Sequence, residues 1–308
     1  MITAMAAINN LHRLILTHGR DAAKAMQPDQ SHLIDVAANM LTAENRIGIT
    51  YTGFCLTALP HRKLQDEAAW QREGHNVTLL VEPGHLRIGG VIKKFGVPYG
   101  ARARLILIYL QTQAIRTGRR EVELGGSMRA WLTRMGVSPG GETFRAYREQ
   151  CLRISACSLK FFWNEERGGE AFEAGSIIKK GLLFSDQANL WTDVVQLDEA
   201  FFNSLQAHPV PLQEEAIQQL SGRSMALDVY VWLAYRLHSL GKPQSLTWAS
   251  LYQQFGAGFS QVKHFKPRFI EALHYVLAVY PEAKVEGTET GILLFQSLPP
   301  VRKLISGR

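Results

Sequence analysis

The chain has 308 residues, 46% of them hydrophobic and 20% charged, a balance that supports packed globular cores and favours two domains over one. Its formal net charge of +7 points to a polyanionic partner. Cys55, Cys151 and Cys157 form no C-x-x-C pair, which argues against a disulfide scaffold or a zinc site and for reduced thiols in a cytosolic core.

Residues 1–45 read as two short helices split at Gln27-Pro28-Asp29. Ile8, Leu11, Ile15 and Leu16 share one stripe, and Leu33, Val36, Ala37 and Met40 share another. A helical arm of this kind needs a surface to cover, either its own core or a second subunit, and a homodimer contact through it is one expectation. Residues 46–100 are strand and loop, with a hairpin expected around LRIGGVIKKFG at 86–96. His61-Arg62-Lys63 reads as a solvated loop.

The next stretch has a distinct order. A helix is predicted over 101–117, a strand at 121–125, a second helix at 127–136 and a third at about 141–157, after the break Ser138-Pro139-Gly140-Gly141. SLKFFWNEE then turns at Gly168-Gly169 and returns as SIIKKGLLFS, read as a two-stranded wing. Helix–turn–helix plus wing is a winged helix, which presents its third helix to the major groove. Residues 101–160 hold eleven Arg/Lys against four Glu, an excess of seven that equals the whole-chain surplus.

On the third helix, Phe144, Tyr147, Cys151 and Ser155 form one stripe. Glu142, Arg145, Glu149 and Arg153 lie on or beside the opposite face, with Gln150 at its margin. Arg and Gln pair with guanine and adenine edges. The bland alternative is a solvated helix with i,i+4 pairs such as Arg145–Glu149 and Glu149–Arg153. The wing cations Lys160, Lys179 and Lys180, and the flanking Arg102, Arg104, Arg119 and Arg120, are expected on DNA phosphates.

The pattern recurs. Residues 193–210 (strand VVQL, helix DEAFFNSL, a break at His208-Pro209) read as a linker, 224–240 as a helix, 245–256 as a strand into a helix, and a second reader follows near 260–280. Its polar side carries Gln261, Lys263, His264, Lys266 and Arg268. Pro267 is comfortable only in a first turn, so this helix either begins near Lys266, the preferred reading, or kinks at the proline. AKVEGTETGILLFQS closes the pattern as a hairpin. The expected fold is therefore α+β: tandem winged-helix domains at 46–192 and 193–308 behind a helical arm at 1–45.

LLVEPG (79–84), GVPYG (96–100), RLILIYLQT (104–112), RREVELG (119–125), WLTRMG (131–136) and Gly140-Gly141, in that order, resemble the RepA-type replication initiators of bacterial plasmids. Gly126 departs from the pattern, standing where the resemblance implies a basic residue. The resemblance implies binding of double-stranded DNA at repeated origin sites (iterons), help in opening the origin, and recruitment of the host initiator and replicative helicase. A winged-helix transcriptional repressor is the alternative. No catalysis, metal or cofactor is expected. The chain has no G-x-x-x-x-G-K-[ST] and no H-x-H or H-E-x-x-H pair. Glu165-Glu166 and Glu121/Glu123 read as solvated carboxylates. With no basic-then-apolar leader and no run near 18 apolar residues, a cytoplasmic protein without a membrane partner is expected.

Overall fold

The apolar stripes of the N-terminus form three helices, α1 (Leu11–His18), α2 (Arg20–Met26) and α3 (Ser31–Thr42), interrupted at Gly19 and Pro28. The computed structural model describes residues 11–164, 170–180 and 194–301, of which 170–174 are described by their backbone only. It divides into a terminal unit, Met1–Gly48 with Val210–Arg308, and a central unit, Ile49–Pro209. The chain passes between the units within two short strands, β1 (Ile47–Tyr51) and a later one at Pro209–Gln213.

In the central unit, α4 (Thr52–Leu56) precedes β2 (Trp70–Glu73), β3 (Val77–Glu82), β4 (Gly84–Ile88) and β5 (Val91–Phe95). Then come α5 (Gly100–Thr117), β6 (Glu121–Glu123), α6 (Met128–Arg134) and α7 (Gly141–Ala156). The unit closes with β7 (Ser158–Asn164), β8 (Glu170–Gly175), β9 (Ile178–Lys180), β10 (Val194–Leu197) and α8 (Glu199–Ala207). Helix α5 is buried on nearly every side, from Ala103 to Ala114, and packs on α7 and α8. It stops at Gly118, whose left-handed φ of 66° lets its N–H return to the helix. Trp131 of α6 is fully buried, edge-on to Tyr109.

Two sheets flank these helices. One is the antiparallel order β2-β3-β7-β8, in which β3 buries Val77, Leu79 and Val81 in strict alternation. The other is β6-β10-β9, with β10 in the middle. This pairing corrects the expected wing. SLKFFWN is β7, and it pairs with β3 and with β8, a strand not foreseen. Ile178–Lys180 instead pairs with Val194–Leu197, which the sequence reading had placed in a linker. A strand's period of two shows which residues face inward but not which strand lies beside it. The Gly168-Gly169 turn, the Glu165-Glu166 pair and residues 181–193 lie outside the described residues.

The terminal unit continues with β11 (Pro209–Gln213), α9 (Glu214–Gln219), α10 (Ser224–Arg236), β12 (Gln244–Thr247), α11 (Trp248–Phe255), α12 (Val262–Val279), β13 (Val285–Gly287) and β14 (Gly291–Leu294). Its sheet order is β12-β14-β13, antiparallel throughout. Trp232, Phe255, Phe265 and Phe269 stack edge-on or tilted in the core between α10, α11 and α12.

The expected boundary of an independent arm at 45 differs from this division. Leu11, Leu33, Ile34 and Ala37 are buried within the terminal unit, where α3 packs on α12. His12 bonds Ala278 O at 2.9 Å, and His32 meets the Tyr275 ring at 5.5 Å. Much of the apolar stripe that suggested a dimer contact is thus covered in cis, while Leu16 is 73% exposed and Ile8 lies outside the described residues. Gln213 Nε2 donates to Glu44 O at 3.1 Å and Glu214 N to Arg46 O at 2.9 Å, joining the two chain segments of the unit.

Candidate nucleic-acid interface

The terminal unit runs helix, strand, helix, helix, strand, strand from α10 to β14. The central unit runs the same way from α5 to β10, except that β7 and β8, which belong to the other sheet, stand between its third helix and β9. In both three-stranded sheets the last strand lies between the first and the second. The third helix of each set is α7 in the central unit and α12 in the terminal unit.

The approach to α7 is set by caps and turns. Ser127 caps α6, its hydroxyl accepting from Ala130 N at 3.2 Å. Gly136, at φ 70°, ends that helix, and Gly140 precedes α7. The first turns of α7 are open, with Glu142 and Arg145 exposed. From Tyr147 onward the helix is enclosed, and Gln150, Cys151, Leu152, Arg153 and Ile154 are all buried.

That enclosure corrects three expected DNA contacts. Arg153 is 3% exposed. Its guanidinium reaches Asp66 at 2.8 Å, Glu149 at 3.1 Å and Val97 O at 3.2 Å, and lies 5.3 Å from the Tyr99 ring centroid. Gln150 Oε1 accepts from Tyr99 N at 2.9 Å. Arg104 donates to Leu59 O at 2.7 Å, Gly100 O at 2.8 Å and Pro60 O at 3.3 Å. Together these side chains clamp the 97–100 segment to the helices, because buried polar backbone needs partners. Gly96 belongs to the same knot, since a Cβ there would collide with the Arg153 guanidinium and Asp66. Partial burial works against the Asp66 carboxylate, but hydrogen bonding and charge from Arg153 outweigh it and hold its pKa below the usual range.

Lys160 is a fourth correction. It sits on β7 and not on a wing, and its amine bonds Glu82 at 2.8 Å. Hydrogen bonds from Lys160 and Ser158 hold the Glu82 pKa below its ordinary value. Lys179 and Lys180 lie exposed on β9, at the edge of the β6-β10-β9 sheet. Arg102 and Arg119 are exposed, whereas Arg120 pairs with Glu199 at 3.1 Å. The basic side chains of α6 were overlooked. Arg129 is exposed, 5.9 Å from the Phe144 ring of α7, and Arg134 is exposed on the last turn. Both stand in SMRAWLTRMG, beside the flanking arginines expected on phosphates.

The terminal unit presents a different third helix. Thr247 caps α11, accepting from Ser250 N at 3.1 Å. A turn through Gly258 (φ 91°) leads to α12. The helix begins at Val262, not near Lys266, so Pro267 lies inside it. The ring removes the N–H that would bond Lys263 O, but both residues face solvent and water can replace the bond. Phe265 and Phe269, fully buried on the other side, hold the turn in register. Gln261, Lys263, His264 and Arg268 are therefore exposed on the first two turns. Lys266 lies 4.6 Å from the Trp248 ring centroid, and Arg268 pairs with Glu271 at 3.0 Å on the surface.

The three cysteines are buried, and burial raises each thiol pKa, so they are packing groups and not nucleophiles. Among the described residues no group of three His, Cys, Asp or Glu is placed to hold a metal ion, and no helix is long and apolar enough to cross a membrane. Arg302-Lys303 lies outside the described residues.

These features define an α+β protein whose two units share three helices and a three-stranded sheet with the last strand central, each carrying a partly basic third helix. The family model of plasmid-encoded RepA proteins matches residues 97–250, half of the chain, and the chain belongs to this family of RepA-type replication initiators. Among solved structures, the selenomethionine crystal structure of domains 2 and 3 of RctB is similar at a TM-score of 0.56 and 12% identity, covering 82% of this chain and 99% of that one. A second crystal structure of RctB domains 2–3 aligns at a TM-score of 0.49 and 12% identity, over 78% of this chain and 93% of that one. At this identity the likeness is one of fold. No curated protein matches the chain significantly.

Proposed function

We propose that both units are winged-helix domains, spanning about 100–197 and 224–294, and that the chain binds double-stranded DNA at repeated sites of a plasmid origin. Bound there, it promotes local opening and recruits the host initiator and replicative helicase, without catalysis, metal or cofactor of its own. The carrying observation is the shared helix–strand–helix–helix order followed by a three-stranded sheet with its last strand central, reached in the central unit after the inserted β7 and β8, and in each unit a third helix whose first turns are open. Membership of the RepA family supports the initiator role over a repressor. Arg145 on α7, and Gln261, Lys263, His264 and Arg268 on α12, are the base-facing candidates; Arg102, Arg119, Lys179 and Lys180 are the phosphate-facing ones. The test is twofold. Footprinting on the DNA flanking the gene should protect repeated sites, each about two helical turns long if both units engage. A DNA circle lacking its own replicon should replicate when given the gene and that flank. Protection of a single inverted repeat over a promoter, with no replication, would replace the initiator by a repressor.

A further inference from the structure

Among the described residues the β4–β5 ribbon is a two-stranded sheet of its own, outside the three-stranded sheets of the two units. Its turn, Gly89-Gly90, has φ of 59° and 83°, the left-handed pair that closes a two-residue hairpin. Its base is fixed. A Cβ on Gly84 would collide with the Ala156 carbonyl at the end of α7, and Gly96, just past β5, lies against Arg153 and Asp66. The ribbon is thus rooted on the helix that carries Arg145.

The register sorts its side chains. Arg87 stands opposite Ile92 and His85 opposite Lys94, so these four share one face. Leu86 opposite Lys93 and Ile88 opposite Val91 share the other, and both strands of the ribbon pack on α7. His85, Arg87, Val91, Ile92, Lys93 and Lys94 are exposed, Ile92 by 71% and Val91 by 58%. Residues 83–98 contain no Asp or Glu, and Lys94 lies 3.9 Å from the surface carboxylate of Glu67.

Guarding an open strand edge explains lysines, but not a bare Ile-Val pair at the tip, which is itself a liability. Pairing of β5 with the β5 of a second copy would bring Lys93 and Lys94 against their counterparts, a like-charge contact. An aliphatic tip between cations on a narrow ribbon is the arrangement of a DNA wedge: charge tracks the phosphates while an apolar side chain enters the minor groove and loosens a base step.

We propose that the β4–β5 ribbon is a second DNA-contacting element of the central unit. Arg87, Lys93 and Lys94 lie on the phosphates flanking a minor groove, and Ile92 enters it as a wedge in the A·T-rich DNA beside the recognition site. The inference rests on the DNA-binding reading above and specifies how that binding is converted into distortion.

The test uses the full chain, the supercoiled origin circle and matched short duplexes. Combining R87A, K93A and K94A should lower the slope of log affinity against log salt by about 3, since each phosphate contact contributes about 0.9. I92S should leave that slope in place but abolish permanganate reactivity of unstacked thymines next to the site, and I92L should retain it. All four positions are exposed, so thermal melts of the variants should match the parent. An unchanged slope in the triple variant, or full thymine reactivity with I92S, overturns the proposal. Loss of self-association in sedimentation, with DNA binding intact, overturns it in favour of an interface between copies. Absence of salt-dependent DNA binding by the parent chain would instead remove the reading beneath it.

Discussion

Helices α7 and α12 hold the same place in their units and use their charges in opposite ways. Arg153 of α7 is 3% exposed, its donors committed to Asp66, Glu149 and Val97 O. Arg268 of α12 has 69% of its side chain exposed and a single surface partner, Glu271. The difference comes from what packs around each helix. Helix α7 carries the ribbon, β9 and the 97–99 turn, whereas the first turns of α12 rest on α11 through Phe265, Lys266 and Phe269 and stay open on the other side. A basic residue on a third helix is therefore a reader only if the layers above it leave it free.

The largest effect expected from this comparison concerns the support of α12. Leu11, Ile15, Leu33 and Ile34 of the N-terminal helices are at most 8% exposed. Burial of each such side chain contributes about 1.5–3 kcal/mol, so together they rival the 5–15 kcal/mol stability of a whole domain. Deleting residues 1–45 should unfold the terminal unit while the central unit still melts cooperatively, as two-transition calorimetry can show. A deletion that merely weakened a dimer and left both transitions in place would break the contrast. I34A alone should cost about 2–5 kcal/mol.

Next come the arginines of α7. R153A should lower the stability of the central unit by about 2–3 kcal/mol, the scale of lost hydrogen bonds to charged groups. It should weaken binding to specific and random DNA alike. R145A should leave the melt unchanged and cost about 1–3 kcal/mol on the specific site only. If R145A and R153A behaved alike in both assays, the division of α7 into an open and an enclosed half would be wrong. R268A is predicted to follow R145A; equal losses on specific and random DNA would make α12 a phosphate clamp and leave sequence choice to the central unit.

A smaller effect separates the units by pH. Burial lowers the pKa of His12, against an opposing hydrogen bond with Ala278 O, so the folded terminal unit favours neutral imidazole more than the unfolded chain does. Its contribution is full above the unfolded value of about 6.5 and is lost as pH falls from there toward the lower folded value. Urea midpoints between pH 7.5 and 5.5 should fall for the terminal unit, and less so in H12Q; equal pH sensitivity of H12Q and parent would assign the loss elsewhere. The smallest change is K160A, which removes a half-exposed pair with Glu82 and should cost no more than about 1 kcal/mol, with no change of salt slope.

Local chemistry was enough to set most elements. Apolar spacing and cap residues marked α5, α6, α7, α10, α11 and α12 within a few residues, and Gly89-Gly90 marked the hairpin, because helix periodicity and turn conformation depend on neighbours in sequence. The basic surplus around α5–α7 was equally legible, as composition is. Partnership was not. That β9 pairs with β10 across residues 181–193, and β7 with β3, depends on which edges meet in space, and several pairings satisfy the same alternation. Nor could a helical wheel tell Arg145 from Arg153: both lie on the polar side, and only the 61–68 and 97–100 segments folding over the second half of α7 turned one into a buried clamp and left the other in solvent. Likewise the stripe of α1 and α3 announced that it needed a cover, while the approach of α12, more than two hundred residues away in the chain, covered Leu11, Leu33 and Ala37 and left Leu16 exposed.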